Sequence, residues 1–197
     1  EHALKLENYQ GVALAGISMG GAQTLKYLGE KGSSLPSQIK KAAVYSVPCN
    51  LPSSAETLKL SSNKFYKNRF LGKLKHKMAL KAEQFPELID RDLLERVNSF
   101  DEFDTYFTAT LHGFKDAADF YESVSADNWM PNIAIPTLII NAVNDPLLGE
   151  ACYPVKLAES KPELFLEMPK RGGHTGFLVS GQEFTWSELR FLEFLNS

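Results

Sequence analysis

The pentapeptide Gly16-Ile17-Ser18-Met19-Gly20 follows the apolar run Val12–Ile17 directly and opens a helical pattern, and it constrains the fold more than any other stretch. A G-x-S-x-G at a strand-to-helix junction holds its serine in strained backbone geometry and projects the hydroxyl above the edge of a sheet. Glycines on either side let strand and helix approach without Cβ clashes, and Gly16, Gly20 and Gly21 are available for this. The N-terminus of the following helix offers unpaired N–H groups and a favourable dipole for developing negative charge. The backbone N–H of Met19 is therefore the expected oxyanion donor. A glycine-rich structural turn would spell the same five residues; the strand before and the helix after favour the chemical reading.

The run Val12–Ile17 is apolar throughout, as in a strand buried on both faces of a parallel sheet. Ala22, Leu25, Tyr27 and Leu28 then fall near helical spacing, with Gly29 and Gly32 as stop signals. Three more short apolar runs cover residues 42–47, 137–142 and 164–168, each ended by a proline or by Asn144-Asp145-Pro146. Helical patterns occupy Val155–Ser160 and residues 184–195, and residues 1–6 read as the tail of a helix. This alternation predicts a parallel α/β sheet with right-handed crossovers. Residues 49–125 interrupt it with helix-like segments and no comparable strand. The expected organisation is a core of residues 1–48 and 126–197 carrying a helical insertion over 49–125.

A serine hydroxyl is a weak nucleophile until a base takes its proton and a third group orients that base. Of the four histidines, His2 precedes the first strand and His76 lies in a basic helical stretch, so both read as surface residues. His112, in Leu111-His112-Gly113-Phe114, imitates a His-Gly oxyanion loop but follows the serine instead of preceding it. His174, in Gly172-Gly173-His174-Thr175-Gly176-Phe177, occupies a flexible loop just after the fourth apolar run, where it can reach across a shared sheet edge. It is the expected general base. Asp145 lies after the third run, between serine and histidine in chain order, and is the expected acid. Asn144 could accept a hydrogen bond there but cannot carry the balancing charge.

Composition bounds the partners. The chain has 197 residues, 44% hydrophobic, with 21 Lys and Arg against 24 Asp and Glu, so there is material for a core and no net positive field to recruit nucleic acid. Cys49 and Cys152 have neither the number nor the spacing of a disulfide framework or a zinc site, which points to a reducing, cytoplasmic compartment and to no metal. No apolar run approaches a membrane span. Residues 59–81 carry eight Lys and Arg and no acid; a basic helix face in solvent explains this, and a weak contact with a membrane surface is the alternative.

These stretches resemble an α/β-hydrolase, specifically the YheT-like branch of esterases and acyltransferases. The likeness rests on residues 16–21 with Leu25-Lys26-Tyr27-Leu28-Gly29-Glu30, on residues 99–114, on Asn144-Asp145-Pro146, and on residues 172–177. It implies a serine hydrolase acting on small-molecule carboxylic esters, of small or medium acyl groups, through an acyl-enzyme, without a cofactor, with Ser18 as nucleophile, Asp145 as acid and His174 as base. It also implies that the insertion is a helical cap, in which Phe65, Phe70, Phe103, Tyr106 and Phe107 are candidates for an acyl pocket or for packing inside the cap. The family fold places strands ahead of the elbow, and the loop after the third supplies a second oxyanion donor. Nothing before Gly11 can supply one, so this chain is expected to be the C-terminal part of the sheet, with the leading strands absent. An acyltransferase using the same acyl-enzyme and a catalytically silent binding protein are the rival readings.

Overall fold

The computed structural model describes residues 2–6 and 9–197. Their strands are β1 (Val12–Ile17), β2 (Ile39–Tyr45), β3 (Thr137–Ile140) and β4 (Leu164–Glu167). The helices, in chain order, begin with α1 (His2–Leu6), α2 (Met19–Lys31), α3 (Leu51–Lys59), α4 (Lys64–Gln84) and α5 (Arg91–Arg96). They continue with α6 (Phe100–Phe103), α7 (Thr110–His112), α8 (Ala117–Val124), α9 (Val155–Ser160) and α10 (Trp186–Asn196). Two compact units result: Glu1–Asn50 with Ser125–Ser197, and Leu51–Val124.

The first unit is built on one parallel sheet in the order β1-β2-β3-β4. Side chains alternate across a strand, and here each set meets a different cover. Ala42, Val44 and Ile139 join Ala22, Leu25 and Leu28 of α2 in one core. On the other face Ala43, Tyr45, Leu138 and Ile140 pack with Phe177 and with Phe191 and Phe194 of α10. Every residue of β3 is buried in consequence. The helix α10 is held at its start by a capping box, in which Thr185 Oγ1 accepts from Glu188 N–H and the Glu188 carboxylate accepts from Thr185 N–H.

Among the described residues β1 pairs with β2 alone and leaves Ala13, Ala15 and Ile17 exposed, as expected of a central-type strand in a chain that covers part of the fold. The apolar cover that α10 gives with Phe191 and Phe194 falls on β2 and β3. Gly29 does not stop α2, which runs on to Gly32 in a left-handed backbone (φ 47°). Gly29 instead lets α2 meet the chain at Trp129, since a Cβ there would lie 2.1 Å from the Trp129 carbonyl oxygen.

The second unit is helical. The helix α4 lays Leu71, Met78 and Ala82 against Ile89, Leu94 and Val97, and Phe103 and Phe107 complete this core. Lys75 caps the end of α5 by donating to the carbonyls of Glu95 and Val97. A smaller core joins Leu51 and Ala55 of α3 to Ala117 and Tyr121 of α8. Between α6 and α7 the chain makes a six-residue π-helix, Asp104–Ala109, and Tyr121 donates to the Asp104 carboxylate from α8. Burial raises the Asp104 carboxyl above its ordinary range.

Candidate active site

Ser18 sits between β1 and α2 with φ 53° and ψ −123°, a left-handed conformation costly to a residue with a Cβ. Two features force it. The Ser18 N–H donates to Tyr45 O at 2.9 Å, tying the turn to β2. The backbones of strand and helix also close tightly, because a Cβ at Gly16 would lie 2.7 Å from Gly20 O, and one at Gly21 would lie 2.6 Å from the Val47 side chain. Gly20 differs from the expectation: a Cβ there meets nothing within 4 Å. Met19 is the first residue of α2, so its N–H belongs to the helix turn that lacks intrahelical acceptors.

His174 and Asp145 come to the same sheet edge. The Ser18 hydroxyl lies 2.9 Å from His174 Nε2, and His174 Nδ1 lies 2.9 Å from Asp145 Oδ2 and 3.2 Å from Oδ1. The Asp145 side chain is fully buried and that of His174 is partly buried. Asp145 is held by its turn, its N–H donating to Ala142 O and its Oδ1 accepting from Leu147 N–H. A buried carboxylate needs such partners to remain charged. The remaining histidines lie elsewhere: His2 before β1, His76 exposed on α4, His112 at the end of α7.

The histidine loop is shaped by close contacts. A Cβ at Gly172 would lie 2.4 Å from the ring of Phe177, and Gly173 is left-handed at φ 57°. Asn144 does not compete for His174; its Oδ1 accepts from Gly173 N–H at 2.9 Å and so holds the loop to the turn that carries Asp145.

Three supporting residues escaped the sequence reading. The buried Asn141 accepts from Val47 N–H and donates to the carbonyls of Val47 and Cys152, bolting the end of β3 to the chain after β2. Tyr153 donates to Ala142 O at 2.8 Å; burial first, and then the nearby Asp145 carboxylate, push its phenol up to about 12. Ser46, directly after β2, donates its hydroxyl to the carbonyl of His174. No motif marks these residues. Their partners are set by how the strand ends line up.

The acyl-pocket candidates divide. Phe103 and Phe107 are buried in the core of the helical unit, packed with residues of α4 and α5. Phe70 is half-buried against Tyr66, Phe65 is 68% exposed, and Tyr106 is exposed. Among the described residues no group of three or more His, Cys, Asp or Glu side chains is placed to hold a metal ion. No helix among them is long and apolar enough to cross a membrane.

Four parallel strands with helices on both faces, and a strained serine at a strand-to-helix turn, define an α/β-hydrolase fold, of which the chain covers a part. The acylaminoacyl peptidase of Pyrococcus horikoshii superposes with a TM-score of 0.54 at 15% identity over 99% of this chain and 26% of that one. An acylaminoacyl peptidase bound to a chloromethyl ketone gives the same score at 13% identity, over 100% of this chain and 25% of that one. No protein-family model matches. By sequence, the chain is 32% identical to the phospholipase ABHD3 of Mus musculus over 93% of its length and 45% of the relative. It is also 32% identical to YheT of Escherichia coli (strain K12), over 84% of this chain and 48% of the relative. The monoacylglycerol lipase ABHD2 of Homo sapiens is 25% identical over 94% of this chain and 48% of the relative. The chain has the α/β-hydrolase fold, and its sequence resembles the YheT-like branch of that superfamily. It spans about half the length of these curated relatives.

Proposed function

We propose that the protein carrying this chain is a serine hydrolase that cleaves carboxylic esters through an acyl-enzyme. The observation that carries the reading is the continuous chain of contacts from Ser18 Oγ to His174 Nε2 and from His174 Nδ1 to Asp145, on a left-handed elbow. With Nδ1–H donating to Asp145, Nε2 is free to take the Ser18 proton as the hydroxyl attacks the ester carbonyl. The Met19 N–H, at the N-terminus of α2, is one donor to the oxyanion that forms. His174 then protonates the leaving alcohol and activates the water that releases the acid. The burial of Asp145 supports its role as the fixed charge that orients the imidazole and stabilises it once protonated.

The relatives' names, phospholipase and monoacylglycerol lipase, support acyl esters of glycerol as the substrate class over small polar esters. We assign residues 51–124 to the helical cap of the family. Within that unit Lys64, Lys67, Arg69, Lys73, Lys77 and Lys81 of α4 have no ion-pair partner among the described residues, which supports weak adsorption to an anionic membrane surface. The buried thiols of Cys49 and Cys152 fit a reducing compartment.

Turnover of a chromogenic carboxylic ester by the full-length protein and by Ser18→Ala tests the reading. The substitution should lower kcat by about a thousandfold or more; turnover unchanged by it would contradict the assignment. Products formed with an added alcohol distinguish free acid, from a hydrolase, from a new ester, from an acyltransferase.

A further inference from the structure

Ser46 is fully buried directly after β2, and its φ of 56° lies in the left-handed region. Glycine adopts that region freely and serine does so at a cost. What the serine adds is a hydroxyl, and this donates to the main-chain carbonyl of His174, while the Ser46 N–H is engaged by Ile140 O at 2.8 Å. One residue earlier, Tyr45 O accepts the N–H of Ser18. Two adjacent residues at the end of a central strand therefore grip the backbones of both Ser18 and His174, independently of the bond between their side chains.

The loop needs such a grip. Gly172, Gly173 and Gly176 surround His174, and Phe177 is itself left-handed at φ 44°. The Asn144 contact secures Gly173, and the turn bonds from Gly176 and Phe177 return to Gly172 O. The Ser46 hydroxyl holds the carbonyl of His174 itself, and Ser46 directly follows a strand whose last four residues are buried.

We propose that Ser46 is a positioning residue for His174, using its hydroxyl to set the imidazole at proton-transfer distance from Ser18. This rests on the reading of Ser18 and His174 as nucleophile and base. A displacement near 1 Å costs a catalytic group up to about a hundredfold in rate, and the remaining Asn144 and Asp145 contacts limit the loss. Removing the hydroxyl should lower kcat about tenfold, leaving KM unchanged.

Two substitutions in the full-length protein separate this from a purely structural role. Ser46→Gly removes the hydroxyl and relieves the backbone strain, so its melting temperature should not fall below that of the parent. Ser46→Ala removes the hydroxyl and keeps the Cβ. Both should lose about tenfold in kcat at constant KM, and both should react more slowly with a fluorophosphonate by a similar factor. Parent-like kcat in both, or a loss that appears in KM or follows melting temperature, overturns the proposal. Ser18→Ala and His174→Ala are measured alongside. If they abolish turnover while the Ser46 variants do not alter it, the positioning role falls and the triad stands; if Ser18→Ala leaves turnover intact, both fall together.

Discussion

Asp145 is the residue whose replacement separates orientation from simple packing. Asp145→Asn keeps the shape and the acceptor oxygen for Leu147 N–H, but it allows the wrong tautomer of His174 and removes the balancing charge. The expected result is a loss of kcat of about ten thousandfold with KM little changed, read from steady-state ester hydrolysis. Tyr153 makes a pH prediction of a different kind. Its phenol is raised from the ordinary 10.0 to about 12 in the fold, so the protonated form is favoured there. That contribution to stability is complete below pH 10.0 and is lost as the pH rises through about 12. Alkaline denaturation followed by circular dichroism should show Tyr153→Phe flattening this part of the stability profile. That Ser18, Asp145 and His174 meet at one sheet edge could be read from sequence, because such a constellation needs a particular residue type at each strand end in a set chain order. Ser46, Asn141 and Tyr153 could not, because they act on main-chain groups brought close only when β2, β3 and the loops after them are aligned.

The elements follow the apolar periodicity closely where both faces of the sheet are covered. β3 lies within the run at residues 137–142, and α9 spans Val155–Ser160 as its pattern predicts. β1 is apolar throughout and leaves alternate side chains open, the pattern of a central strand in a chain that covers part of the fold. Gly29 shows where punctuation misleads, since a glycine that allows close packing reads in sequence as a helix stop. Gly29→Ala should destabilise the first unit by about 1–3 kcal/mol or more, because the new methyl meets backbone at Trp129 that has little freedom to move, and thermal denaturation measures this. Thr185→Ala should cost about 1 kcal/mol through the lost cap of α10. The Glu188 carboxyl is held below its ordinary range by its bonds to Thr185. Its share of the cap is therefore present above the ordinary glutamate range and disappears as the pH falls through the lowered value. The effect of Thr185→Ala on chemical denaturation should accordingly shrink in acid.

For the whole molecule, the net charge of -3 conceals a separation that matters more than the sum. The cations of α4 should bind the full-length protein to vesicles containing phosphatidylserine, more strongly at low salt than at high salt, and leave it free of phosphatidylcholine vesicles. Reversing Arg69 and Lys73 to glutamate should abolish the difference in a sedimentation assay. Because the chain covers about half of its relatives' length, such measurements belong on the full-length protein. The central claim is that Ser18 forms the acyl-enzyme under the control of His174 and Asp145. Peptide mass spectrometry after reaction of the full-length protein with a fluorophosphonate tests it most directly. The account predicts one adduct, on Ser18, formed far more slowly in His174→Ala and Asp145→Asn. An adduct on another residue, or labelling of Ser18 at the parent rate in both variants, would contradict it.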